Sequence, residues 1–118
     1  MKQDVSNLTL SPESAVLNNM TVTAVVRSFG TFWEVTVVFS RQNEQPPMVA
    51  DDLWVGMYDK RGTPLALAEA PKGLLPEFGG GLGSSVNARY RFEKHALPLV
   101  RLVIRYKSEQ AAFQLMPH

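Results

Sequence analysis

A two-residue alternation of apolar and polar side chains between residues 20 and 40 restricts this chain to extended structure. Apolar residues take every second position in two runs: Met20, Val22, Ala24 and Val26, then Trp33, Val35, Val37 and Phe39. Side chains alternate between the two faces of a strand, so each set marks the buried face of one strand. Phe29-Gly30 between the runs predicts a tight turn, because glycine readily adopts positive φ. The two runs therefore predict paired strands that share a core face.

Short segments of the same kind recur between Gly, Pro, Asn and Asp clusters, and sustained helical spacing is almost absent. We predict eight strands, near residues 5–10, 20–28, 31–40, 53–58, 64–69, 86–93, 98–106 and 111–115. Strands at this spacing are typical of an antiparallel β-sandwich of about 7–8 strands, of the immunoglobulin or fibronectin type III class. A small β-barrel is the alternative, since periodicity defines buried faces but not strand order. The length of 118 residues predicts a single β-sandwich domain over residues 1–118.

Turn and linker residues refine this scheme. Asp59-Lys60-Arg61-Gly62 predicts a hairpin turn, with Asp supplying a side-chain hydrogen bond and Gly the required φ. Tyr58-Asp59 followed by Gly62 resembles hairpins common in bacterial immunoglobulin-like domains. Ser11-Pro12-Glu13 predicts the cap of a short helical turn through Leu17. Residues 41–52 contain consecutive prolines, so we expect a linker between sheets there, and residues 70–85 are predicted to form the longest loop.

Composition and motifs argue against several classes of function. The chain has no cysteine, which excludes disulfides and thiolate chemistry. Apolar runs are far shorter than the roughly 20 residues of a membrane helix, so we expect no membrane insertion. The two histidines, His95 and His118, lack metal-binding spacing, and the glycines at 79–83 lack the lysine and helix of a phosphate-binding loop. With no recognisable catalytic constellation, we predict a protein without metal or cofactor that is not an enzyme.

Basic residues are concentrated near the C-terminal end of the chain. Residues 86–107 hold six of the twelve basic side chains and one acid, Glu93, whereas the rest holds six basic against ten acidic. Alternation directs four of these arginines to the solvent face: Arg89, Arg91, Arg101 and Arg105. We predict a hairpin between 86–93 and 98–106 that sets Arg91 opposite Arg101. Two interpretations follow: neutralisation by Glu34 on a neighbouring strand, or a face that binds an anionic partner.

Nucleic acid is the partner that this pattern disfavours. Tyr90 and Phe92 alternate with Arg89 and Arg91, so the aromatic rings and the guanidinium groups face opposite sides of the strand. Single-strand binders need exposed rings beside cations, and duplex binders need more phosphate contacts than a net charge of +1 supplies. We therefore predict no nucleic-acid partner.

Two further sets of residues are candidate contact surfaces. Leu74, Leu75, Phe78 and Leu82 are unusually apolar for a loop, and they either cover one end of the fold or contact a partner. Trp54 and Tyr58 share a strand face opposite Leu53, Val55 and Met57. They are either buried under a neighbouring segment or form a platform for sugar rings.

These observations favour a non-catalytic protein–protein interaction module that uses a sheet edge, the 70–85 loop or the arginine face. The alternative is a module that binds carbohydrate or a small anion. A structural subunit of a larger assembly is a third possibility.

Overall fold

The computed structural model describes residues 7–42, 46–80, 83–94 and 98–117, which form an antiparallel all-β structure. One short 3-10 turn, Ala50–Asp52, interrupts the strands. In chain order the strands are β1 (Asn7–Ser11), β2 (Ala15–Leu17), β3 (Met20–Phe29), β4 (Phe32–Arg41), β5 (Leu53–Asp59), β6 (Leu67–Glu69), β7 (Glu77–Gly80), β8 (Gly83–Glu93), β9 (Leu99–Tyr106) and β10 (Glu109–Pro117). The predicted all-β antiparallel class is confirmed.

The ten strands belong to one hydrogen-bonded sheet, strongly curled into a half-barrel. Its order is β5-β9-β10-β1-β3-β4-β8-β6, with β2 added to β3 and β7 added to β8. β1 joins the two parts of the sheet, because it pairs with β10 along Leu8–Pro117 to Ser11–Gln114 and with β3 only at Asn7 and Leu8. We call β5, β9 and β10 the β9 half, and β3, β4, β6, β7 and β8 the β8 half.

The hydrophobic core fills the inner face of the curled sheet. The alternation predicted for β3 and β4 is confirmed, since all eight apolar residues except Trp33 are buried and Trp33 is half-buried. In β9 the residues that alternate with the outward arginines, Leu102, Ile104 and Tyr106, are buried, and Val100 is half-buried. Residues of this kind bury enough apolar area to hold such a fold together without disulfides.

Two turns form near the residues that predicted them. In the β3–β4 hairpin Phe29 pairs with Phe32, so the two turn residues are Gly30 and Thr31, one position later than predicted; Gly30 has φ +63°. In the turn after β5, Asp59 Oδ1 accepts hydrogen bonds from the N–H groups of Arg61 (2.8 Å) and Thr63 (3.0 Å), and Gly62 has φ +84°. Side-chain bonding by Asp and the φ freedom of Gly therefore act here as expected.

Other local predictions were wrong. The segment expected to begin a helical turn leads instead into β2, because Ala15–Leu17 pairs with Met20–Val22 of β3 across the turn formed by Asn18 and Asn19. Of the predicted strand 64–69, only Leu67–Glu69 is a strand, and it pairs with β8 rather than β5. The predicted 70–85 loop contains β7, which forms a hairpin with the start of β8.

The predicted pairing of 86–93 with 98–106 was also wrong. β4 takes one edge of β8 from Ser84 to Glu93, and β6 and β7 share the other edge, whereas β9 lies between β5 and β10. Arg91 therefore does not face Arg101. The alternation of apolar and polar residues in β8 is compatible with any neighbouring strand that buries the same face. It therefore could not show which strand pairs with β8.

Candidate functional site

A groove of about 480 Å3 opens on the outer face of β8, between the end of β6 and the start of β7. We call it the β8 groove. Its floor is formed by Thr36, Asn87, Arg89 and Arg91, and its walls by residues 69–71 on one side and by Pro76 and Phe78 on the other. Its volume lies within the range of ligand sites, and its lining is mixed, with four apolar residues and five polar or charged ones.

The groove exists because the chain leaves the edge of β8 after Glu69 and returns only at Pro76. In between, main-chain hydrogen bonds hold it against the segment that precedes β5: Ala50 N–H donates to Gly73 O (2.8 Å), and Leu75 N–H donates to Met48 O (2.9 Å). Pro71 and Pro76 lie at the two ends of this excursion. Proline lacks an N–H, so it cannot complete a ladder of strand hydrogen bonds.

The excursion leaves the middle of the β8 edge without a register partner. β6 ends with Glu69 opposite Arg91, and β7 begins with Glu77 opposite Val86. The N–H groups of Asn87 and Glu93 point to this edge, since they donate to Pro76 O (3.1 Å) and Ala66 O (2.9 Å). Peptide groups alternate in direction along a strand, so Arg89 directs its N–H and C=O to the same edge. Neither β6 nor β7 supplies a partner there.

Two carboxylates partly neutralise the arginines of the groove. Glu34, the register partner of Arg91 on β4, is only 9% exposed, and its Oε2 lies 3.6 Å from Arg91 Nη2 and 4.0 Å from Arg89 Nε. Arg91 Nε also lies 3.7 Å from Glu69 Oε1. The predicted contact of Glu34 with the arginines is therefore confirmed for Arg89 and Arg91 but not for Arg101, which lies on β9. Arg89 keeps the weaker contact and is 69% exposed at its side chain, so its charge remains accessible to solvent.

Aromatic rings flank the Arg91 end of the groove. The Arg91 guanidinium carbon lies 5.4 Å from the centroid of the Phe29 ring and 5.9 Å from that of Phe32. These residues, with Gly30 and Thr31, line an open depression of about 470 Å3 that shares Arg91 with the groove. Phe29 is 51% exposed. An exposed ring beside a partly shielded cation is a surface suited to contact with another molecule.

Asn87 adds a buried acceptor to the groove floor. Its Oδ1 has no hydrogen-bond partner among the residues that the structure describes. Buried polar atoms are rarely left unpaired in native proteins, because desolvation without a hydrogen bond is costly. This oxygen is therefore a position where a buried water would gain a hydrogen bond.

An ion pair between buried Arg41 and partly exposed Glu77, which sequence reasoning missed, anchors the β7 wall. Arg41 is 3% exposed; its Nη2 donates to Glu77 Oε2 (2.6 Å) and its Nη1 to Pro46 O (2.7 Å). Ser84 Oγ also donates to Glu77 Oε2 (2.6 Å), and these hydrogen bonds, that from Ser84 first, lower the pKa of the Glu77 carboxyl. A signal was present, because Arg41 continues the inward alternation of β4, where an arginine requires a carboxylate partner.

The four predicted arginines do not form one face. Arg89 and Arg91 lie on β8, whereas Arg101 and Arg105 lie on β9, separated in the sheet by β10, β1, β3 and β4. The β9 pair meets aromatic rings instead of carboxylates. The Arg101 guanidinium carbon lies 5.2 Å from the Tyr58 ring centroid, and that of Arg105 lies 4.8 Å from the Trp54 ring centroid.

Trp54 lies along the outer face of the β9 half. A methyl group built on Gly56 would come within 2.4 Å of Trp54 Cη2, so the indole covers this glycine. Val103, the register partner of Gly56, is buried although it lies between the outward residues Arg101 and Arg105. Trp54 remains 41% exposed and Tyr58 is half-buried. The aromatic pair is therefore accessible, but an arginine lies over each ring.

The predicted loop patch is divided by the fold. Leu75 is buried at 6% exposure, whereas Leu74 is 67% and Phe78 is 54% exposed. Leu74 forms an isolated bridge with Val49, and Phe78 lines the β8 groove. Leu82 lies outside the described residues. Of this set, Phe78 alone is placed at the groove.

The segregation of rings and arginines on β8 follows the prediction. Tyr90 and Phe92 are 4% and 2% exposed, and their rings stack with centroids 6.4 Å apart. Burial raises the pKa of the Tyr90 phenol to about 12. The rings on this strand are thus core residues, and Arg89 and Arg91 face outward without them.

No helix in the described ranges is long and apolar enough to cross a membrane. Within the same ranges, no group of three or more His, Asp or Glu side chains could hold a metal ion. Comparison of the chain with protein-family models, with curated proteins and with solved structures gave no match.

Proposed function

We propose that this protein is a non-catalytic binding module that holds a segment of another protein in the β8 groove. The observation that carries the proposal is the interrupted edge of β8: on the side away from β4, the main chain of Arg89 has no partner from β6 or β7 and faces the groove. An uncovered strand edge offers hydrogen bonds to any extended chain, and the surrounding side chains supply selectivity.

The chemistry of the groove supports a protein ligand. Phe78 and the two prolines provide apolar walls, and Arg89 provides an exposed cation on the floor. This mixture of apolar contact with a few directional polar groups is what binding to a peptide segment requires. Binding of this kind depends on an open antiparallel strand edge and not on the class of β fold. The immunoglobulin-like sandwich stays a prediction.

Selection from a library of random peptides displayed on phage tests this function. The wild-type protein should enrich a set of related peptides, and Phe78→Asp should abolish the enrichment by placing a charge on the groove wall. Val16→Asp is the matched control, because Val16 is an exposed apolar residue on β2, away from the groove. Loss of binding in both variants, or enrichment of no related peptides by the wild type, would contradict the proposal.

A second candidate function rests on the outer face of the β9 half. Exposed Trp54 and half-buried Tyr58 lie beside Arg105 and Arg101, a combination that suits a sugar ring carrying a carboxylate or sulfate. Calorimetry with a sulfated oligosaccharide and its unsulfated counterpart tests this candidate. Binding should require the sulfate, weaken with added salt and disappear in Trp54→Ala; binding of neither sugar would eliminate it.

A further inference from the structure

We infer that the β8 groove takes an extended peptide segment with an acidic side chain, which pairs as a short strand with Arg89. This inference rests on the proposed function and specifies its ligand. The ligand residue opposite Arg89 forms two main-chain hydrogen bonds with it, and its carboxylate contacts the Arg89 guanidinium.

The two main-chain hydrogen bonds between the ligand and Arg89 follow from the direction of the β8 peptide groups. Arg89 shares its orientation with Asn87 and Glu93, whose N–H groups bond to residues across the same edge. In an antiparallel pair of this kind, the two opposed residues exchange both N–H···O bonds. The carbonyl oxygen of Asn87 is a further acceptor on this edge. Asn87 N–H donates to Pro76 O, but Pro76 has no N–H that could donate to Asn87 O in return.

The contact between the ligand carboxylate and Arg89 has a precedent within the protein. One pair further along the same edge, Glu69 of β6 lies opposite Arg91, with its Oε1 3.7 Å from Arg91 Nε. Opposed residues place their side chains on the same face of a sheet. An acidic residue opposite Arg89 would therefore repeat, two residues along β8, the contact that Glu69 makes with Arg91.

Charge complementarity favours an acidic ligand over a neutral or basic one. Three arginines meet on this part of the outer face: Arg27 and Arg91 are both register partners of Glu34, and Arg89 lies beside Arg91. Glu34 lies between Arg89 and Arg91, Glu69 contacts Arg91, and Glu93 lies beyond Arg91 on the same face of β8, so Arg89 has the smallest share of carboxylate contact. Arg89 is the more exposed of the two arginines in these ion pairs, at 69% against 33% for Arg91, and has only a 4.0 Å contact, so it is the cation available to a ligand.

Acetylated and amidated pentapeptides of sequence Thr-Val-Asp-Val-Thr, labelled with a fluorophore, test this inference by anisotropy. The central aspartate is replaced by asparagine in one peptide, by lysine in a second, and is N-methylated in a third to remove its N–H. Each replacement should weaken binding by about tenfold or more, since a charged hydrogen bond or a main-chain bond is lost. Arg89→Glu should reverse the preference, so that the lysine peptide binds better than the aspartate peptide.

Arg105→Glu is the matched control, because Arg105 is an outer-face arginine of the other half and should leave all four affinities unchanged. The outcomes separate this inference from the proposed function. If displayed peptides bind at the groove but lack an acidic residue and tolerate N-methylation, the inference is wrong and the proposed function stands. If neither displayed peptides nor the aspartate pentapeptide binds, both are wrong.

Discussion

The β8 and β9 halves carry the same sequence pattern and use it differently. In each, two arginines alternate with buried apolar residues and face outward. On β8 they lie beside the carboxylates of Glu34 and Glu69, whereas on β9 they lie over the rings of Tyr58 and Trp54. The residues on the adjacent strand therefore decide whether an exposed arginine belongs to an ion pair or to an aromatic stack.

The two halves also differ in how their strand edges are covered. β9 pairs with β5 from Tyr106 to Leu99, with one irregularity near Tyr58 and Asp59. β8 is covered by two short strands with a gap at Arg89. Uncovered edges invite pairing with other chains, and natural proteins usually protect them. An unprotected position inside a groove is what distinguishes the β8 half as the candidate binding region.

Replacement of Arg41 should have the largest effect on stability. Arg41→Ala removes a buried side chain, its packing and its bonds to Glu77 and Pro46, so we expect a loss of about 3 kcal/mol in the free energy of unfolding. Urea unfolding measures the loss. Faster hydrogen exchange in β7 than in β5 would confirm that the effect belongs to the β8 half; equal changes in both strands would contradict it.

Alkaline pH should destabilise the protein through Tyr90. The folded-state pKa of about 12 is above the ordinary value of 10, so the neutral phenol contributes its full stability below pH 10 and loses it as pH rises toward 12. The difference corresponds to about 2.5 kcal/mol.

The difference in unfolding free energy between the wild type and Tyr90→Phe, measured from pH 9 to pH 12, isolates this contribution. The wild type should lose stability relative to the variant across that interval. A difference that does not vary with pH would show that the phenol ionises as readily in the folded state as in the unfolded chain.

Replacement of Glu34 should lower the free energy of unfolding by an amount that depends on salt. Glu34→Gln keeps the shape of the side chain but leaves Arg89 and Arg91 without their shared carboxylate, which should cost about 1.5 kcal/mol at low salt. Salt screens the remaining repulsion, so the loss measured by urea unfolding should shrink at high ionic strength. A loss that does not depend on salt would contradict this account of the arginines.

The smallest effect is expected in the β9 half, at Gly56. In Gly56→Ala the new methyl group collides with the indole of Trp54, which is partly exposed and can move outward, so we expect a loss below about 1 kcal/mol. Trp54 should lose its contact with Arg105, and tryptophan fluorescence should shift to longer wavelength. An unchanged spectrum would show that the indole does not lie over Gly56.

The sequence predicted which faces are buried, because alternation is a local property of each strand. The core faces of β3 and β4, the buried Tyr90 and Phe92 and the outward Arg89 all followed from it. The contact of Glu34 with the β8 arginines was also predicted, since it needed only that β4 lie next to β8.

The groove could not be predicted, because it depends on which strands are neighbours. Period-two patterns carry no information on pairing, so β8 was assigned to β9 and the four arginines to one face. The gap at Arg89 arises from contacts between residues 48–50 and 73–75, which are distant in sequence and irregular in structure. Pro71 and Pro76 mark its ends, yet prolines in a loop indicate only that a strand is interrupted.

Residue-resolved hydrogen exchange of the free protein tests the central claim most directly. Asn87, Arg89 and Glu93 all point their N–H groups to the same edge of β8, but among the residues that the structure describes only those of Asn87 and Glu93 have acceptors, Pro76 O and Ala66 O. The account predicts that the Arg89 amide exchanges faster than both by on the order of tenfold or more, and that the acidic pentapeptide slows it. An Arg89 amide as protected in the free protein as its two neighbours would contradict the claim that this edge is open.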